Sequence, residues 1–216
     1  MNLLRRKKLH FLKIALLVIW VLLVLYPNPG KLAASVYRLK NPPVSPYRVS
    51  EMAQPLQGLT PGEIQKFVYA NIPYRYDWEV YNMPWYFPTL EEALYREYGD
   101  CKARFLLFAS LLEEMEIPYR KNISLTHIWV DYDGKPESAL ENARETMIIV
   151  DENGRVRLSV PRADLARSSR SFREGFWDTM PVDKKWMLLA GFPAVFGIFH
   201  LRQLHISKPP IKLSKD

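Results

Sequence analysis

Cys101 is the only cysteine among 216 residues, and it stands in the stretch YGDCKARF, Tyr98 to Phe105. Downstream of it, Phe105, Leu107, Phe108, Leu111, Leu112 and Met115 give an apolar face at helical spacing, with a stop before Pro118. Asp100 therefore reads as an N-cap and Cys101 as the first residue of a helix. Unpaired N–H groups and the helix dipole favour an anion there, and the thiolate is the nucleophilic form of cysteine. Such a nucleophile needs a base to take its proton and return it to a leaving group, most often histidine.

Four histidines are present. His10, His200 and His205 fall in or beside two apolar segments near the termini, which leaves His127 for the middle of the chain. It opens the run HIWVDYD, where period-2 alternation puts His127, Trp129 and Asp131 on one face of a strand. A lone cysteine is more often packing, and a lone strand histidine is more often structural. Residue types alone leave both readings open: inert packing, or a Cys-His pair. One cysteine excludes a disulfide framework and a cysteine-rich zinc site, and no metal or cofactor is expected.

The elements that would position these residues are legible in outline. Residues 27–59 carry YPNPG and NPPVSPY and are expected to form an irregular proline-rich arm. Thr60, Pro61 and Glu63 make a capping-box start for a helix, and Thr89 caps a second short helix, TLEEALYREYG. An aromatic loop, PYRYDWEVYNMPWYFP, lies between them. After Pro118 the pattern turns to strands: YRKNIS, HIWVDYDG, TMIIVDENG and RVRLSVP, with PESALENARE as a long connection. Helices followed by antiparallel strands predict an α+β domain over 60–182. Asn122-Ile123-Ser124 is a formal glycosylation sequon, but it falls within a strand.

In order and spacing, WYFPTLEEALYREYGDCKARFLLFASLLEEMEIPY followed by HIWVDYDG resembles the transglutaminase-like superfamily of papain-related cysteine enzymes. The positions that carry the resemblance are Trp85, Pro88, Gly99, Asp100, Cys101, Ile117, Pro118, His127 and Trp129, within a match over about residues 60 to 160. The resemblance implies a papain-like core and a Cys-His-Asp arrangement with Cys101 as nucleophile and His127 as base. Its acid is expected on the next strand, at Asp151, with Asp164 and Asp133 as weaker alternatives. Asp131, four residues along the same strand, is about 13 Å from His127 and cannot orient it. The implied reaction is acyl transfer or hydrolysis at an amide of a peptide or protein. The backbone N–H of Cys101 and a donor from the Tyr81–Tyr86 region would stabilise the oxyanion. A non-catalytic relative serving as a binding or assembly module is the competing expectation.

Charge and hydropathy place the domain. The formal charge is +7, but Arg5, Arg6, Lys7, Lys8 and Lys13 stand at one end with no acid. Arg202, Lys208, Lys212 and Lys215 stand at the other end against Asp216 alone, so the middle is close to neutral. A nucleic-acid face on the middle is therefore not expected. The run Ile14 to Tyr26 is wholly apolar, and Phe11 and Leu12 extend it if Lys13 snorkels, for a rise of about 24 Å. With RRKK before it, it reads as a signal anchor with the N-terminus in the cytoplasm. Residues 186–201 form a second apolar stretch, expected to span as well. Both basic tails (the second over 202–216) would then be cytoplasmic, with the domain outside. The oligomeric state is left open.

Overall fold

The computed structural model describes residues 3–142, 144–151, 153–160 and 165–206. In chain order its helices are α1 (Leu3–Leu25), α2 (Pro29–Lys40), α3 (Ser50–Ala53), α4 (Pro61–Asn71), α5 (Asp77–Tyr81), α6 (Leu90–Arg96) and α7 (Cys101–Glu114). Four strands follow, β1 (Arg120–Ile123), β2 (Ile128–Asp131), β3 (Ile148–Val150) and β4 (Val156–Leu158). The chain ends in α8 (Leu165–Phe172), a π-helical turn at Arg173–Asp178 and α9 (Val182–Ile206). The fold is α+β, as the sequence predicts. It divides into two units, Gly30–Met180 and a terminal unit of Met1–Pro29 with Pro181–Asp216.

Within Gly30–Met180, α7 is the central element. From Cys101 to Leu112 every residue is buried except Arg104, so the helix is enclosed on nearly all sides rather than along one stripe. Ile64 and Val68 of α4, Leu90 and Ala93 of α6, and Ile128 and Val130 of β2 pack against it in one core. The caps expected from sequence are present. Thr60 with Glu63 and Thr89 with Glu92 close capping boxes, and the Asp100 side chain accepts from Lys102 N.

From Gly30 onward, the segment expected to be an irregular arm is instead part of this domain. Its proline at Pro29 stands at the start of α2, where the missing N–H costs nothing, and KLAASVYRLK continues as helix. Val49, Ala53 and Leu56 then enter the core, through α3 and two 3₁₀ turns that each begin beside a proline. Proline here sets helix starts, not disorder.

The sheet is wholly antiparallel between neighbours, in the order β2-β1-β3-β4. β1 pairs with β2 through Ile123↔Ile128 and with β3 through Ile123↔Ile148, so it lies between them. β2 and β3 consequently run parallel to each other, and the chain between them must return along the sheet. Asn122, the sequon residue, is buried in β1, which leaves no room for a glycan.

In the terminal unit α1 and α9 lie antiparallel. Lys184 Nζ donates to Val24 O at 3.0 Å, Trp20 Nε1 donates to Met187 O at 2.9 Å, and Lys13 Nζ sits 5.5 and 5.3 Å over the rings of Phe196 and Phe199. Over Lys7–Leu25, α1 is long and apolar enough to cross a membrane, with a mean hydropathy of 2.3.

Candidate active site

The approach to Cys101 is built by backbone. Gly99 N donates to Pro73 O at 3.2 Å and Arg75 N donates to Gly99 O at 3.1 Å, an isolated parallel bridge that ties Tyr74 beside the start of α7. A Cβ on Gly99 would stand 2.3 Å from Ala103 Cβ, so only glycine fits there. Asp100 then caps the helix and leaves the Cys101 N–H at N1, where an α-helix offers it no acceptor. Below, Lys102 is buried and its ammonium bridges two carboxylates, Asp100 and Asp77, the latter at 2.9 Å. Asp77 Oδ2 also accepts from Tyr86 N at 2.8 Å. Burial, and then the Asp100 charge, push the Asp77 carboxyl up to about 7 despite Lys102, which the two carboxylates hold well above an ordinary lysine against the opposing effect of its own burial.

His127 is placed by the β1–β2 hairpin. Ser124 N donates to His127 O at 2.8 Å and His127 N donates to Ser124 Oγ at 3.1 Å, closing the turn directly beyond the Ile123↔Ile128 pair. Its ring stacks on Trp129 with centroids 5.6 Å apart. Nε2 lies 2.9 Å from Glu141 Oε1, and the ring lines the same cleft as Cys101, near enough for the sulfur to act on its charge. With Nε2 occupied by the carboxylate, Nδ1 is the nitrogen left for the sulfur. Burial alone would lower the His127 pKa. The Cys101 thiolate, then its hydrogen bond, then Glu141 outweigh that and hold it up at about 10.

Glu141 is itself fixed at both oxygens. Oε2 pairs with the buried ammonium of Lys135 at 2.8 Å, and Lys135 also donates to Val130 O. Burial works against the charged carboxylate, but the hydrogen bonds and charges of His127 and Lys135 keep its pKa below the usual range. A Ser138–Glu141 turn, with Glu141 N donating to Ser138 Oγ at 3.1 Å, shapes the backbone locally. The Cys101 sulfur, the His127 imidazole, the Glu141 carboxylate and the Lys135 ammonium thus follow one another across the site.

The structure brings Cys101 and His127 together and leaves Asp151 elsewhere. Asp151 follows β3 at the end of the sheet opposite His127, with β1 in between: about 13 Å along the strands and about 10 Å across them. Its Oδ1 accepts from Asn153 N and Arg155 N and so shapes the β3–β4 turn. β3 pairs with β1 and not with β2, so the strand that carries Asp151 is not the neighbour of the strand that follows His127. Asp131 and Asp133 both pair with Arg120 at that far end, and Asp164 lies outside the described residues. The acid beside His127 is Glu141, in the long connection. The Tyr81–Tyr86 loop does not line the site either: Tyr81 and Tyr86 pack on each other at 4.7 Å, and the Tyr86 N–H is taken by Asp77.

Cys101, His127 and Glu141 open on a cleft of about 630 Å³, walled by α4, α7, β2 and the connection, with Tyr69, Tyr74, Arg104 and Trp129 among its lining. Among the described residues no group of His, Cys, Asp and Glu side chains could hold a metal ion. No protein-family model, curated protein or solved structure matches the chain.

Proposed function

We propose that the chain is a membrane-anchored cysteine enzyme that transfers or hydrolyses acyl groups at amide bonds of peptides or proteins. The observation that carries this reading is the His127 imidazole held by Glu141 at 2.9 Å on one side with the only cysteine on the other. An adjacent base and an orienting acid are what a thiol nucleophile requires. The transglutaminase-like resemblance of residues 60–160 supports the same reading, with α7 on the sheet as the papain-like core and Glu141 in the place of the expected aspartate.

In this mechanism the Cys101 thiolate attacks the amide carbonyl, and the Cys101 N–H at the open end of α7 donates to the developing oxyanion. The C–N bond breaks as His127 gives its proton to the departing amine, leaving a thioester. His127, now neutral, takes a proton from water or an acceptor amine, which attacks the thioester and releases Cys101. Glu141 keeps the ring oriented and stabilises its charged form. The basic N-terminal residues and the apolar α1 support an anchor with a cytoplasmic N-terminus. We read residues 186–201 as a second span.

Alkylation of the sole thiol tests the pair. At pH 7 the full-length protein in detergent should react with iodoacetamide faster than His127→Ala by on the order of tenfold or more. Equal rates would rule out the Cys-His pair and favour a binding module.

A further inference from the structure

Arg104 is the one residue between Cys101 and Leu112 that is not buried, and it faces the cleft three residues after the nucleophile, on the same side of α7. Its guanidinium is held by neighbours that do not neutralise it. Nε donates to Ile72 O at 2.9 Å, and the guanidinium carbon stands 4.5 Å from the Tyr69 ring centroid and 5.3 Å from that of Tyr74. Among the described residues neither Nη1 nor Nη2 has a hydrogen-bond acceptor, and no carboxylate pairs with Arg104.

The other charges of the cleft, Lys66 apart, are held by partners. His127 faces Cys101 and Glu141, Lys135 is held by Glu141, and Glu63 accepts from Thr60 within its capping box. Lys66 is exposed at the rim. Arg104 is therefore the cation beside Cys101 that has an aromatic clamp, a fixed plane and two free N–H-bearing ends. That is a geometry suited to two parallel hydrogen bonds to a carboxylate. Pre-ordering by the tyrosines and the Ile72 carbonyl reduces the entropy lost on binding.

We infer that Arg104 is a specificity residue that binds a carboxylate of the substrate close to the amide attacked by Cys101, so that the preferred substrates are peptides with a free C-terminus or an acidic side chain next to that bond. This rests on the acyl-transfer reading above and names its substrate class.

The test compares alkylation of Cys101 in the full-length protein by iodoacetate, which carries a carboxylate, and by neutral iodoacetamide. The ratio of the two rates should fall on the order of tenfold in Arg104→Gln and less in Arg104→Lys, which keeps the charge but not the fork. In the wild type, benzoylglycine should slow iodoacetamide labelling where benzoylglycinamide does not. Protection by N-acetylglutamic acid α-amide instead would assign the site to acidic side chains. An unchanged ratio in Arg104→Gln, or protection in the wild type that neither a free C-terminal nor a side-chain carboxylate improves, overturns the inference. Failure of the underlying reading looks different: His127→Ala would then leave the iodoacetamide rate unaltered whatever Arg104 does.

Discussion

At the scale of single residues, His127 sits between Cys101 and the Glu141 carboxylate, and this fixes the direction of its pH response. Its folded pKa of about 10 lies above the unfolded value of about 6.5, so the stabilisation it brings is complete below the latter. It is lost as pH rises through about 10. Replacing Glu141 by Gln removes one of those partners. NMR titration should show the His127 midpoint dropping by at least about one unit in Glu141→Gln, while a midpoint unmoved by the substitution would show that Glu141 does not support the ring. Beneath the nucleophile, Lys102 neutralises two carboxylates at once. Lys102→Met leaves Asp77 and Asp100 facing each other in the core and should cost about 3 to 5 kcal/mol in denaturant unfolding. Asp77→Asn should cost distinctly less, because Lys102 keeps Asp100 as its charged partner and Asn can still accept from Tyr86 N.

At the scale of elements, the start of α7 depends on two adjacent residues with different tasks. Asp100→Ala removes a cap together with one carboxylate partner of the buried Lys102 and should destabilise by more than the about 1 kcal/mol of a cap alone. Gly99→Ala drives a methyl against Ala103 and should cost roughly 1 to 3 kcal/mol while also slowing Cys101 alkylation, since it displaces the residue before the cap. Thermal unfolding and labelling of the same variants separate the two effects. These helix starts were legible in the sequence because a cap is a local device: Thr60 and Glu63, Thr89 and Glu92, and Asp100 with Lys102 N all lie within three residues of each other. The cysteine and its histidine were legible for another reason, as they are unique in the middle of the chain. The acid was not. Which carboxylate meets His127 depends on strand order, and with β1 lying between β2 and β3 the candidate moves from Asp151 to the returning segment that carries Glu141. The proline-rich segment misleads by composition in the same way, because proline at a helix start and proline in a loop are the same letter.

At the scale of the whole molecule, the two ends of the chain form their own unit. Gly191 is the close point of the α1–α9 pair: a Cβ there would stand 2.2 Å from Trp20 Cδ1. Gly191→Val should therefore separate the helices. In a Cys101→Ser background, cysteines placed at Lys13 and Phe196 should cross-link through a short bismaleimide, and the added Gly191→Val change should abolish the product. Stability is also distributed unevenly within Gly30–Met180. Cys101 rests on a helix enclosed by core and His127 on a hairpin, whereas Glu141 rides on the return run between β2 and β3 and is held by side chains alone at its carboxylate. Such a run can open without unfolding the helix beneath it. In hydrogen exchange the amides of residues 135–142 should trade with solvent long before those of 105–112. During each such opening the protein is still folded and the imidazole has lost its carboxylate.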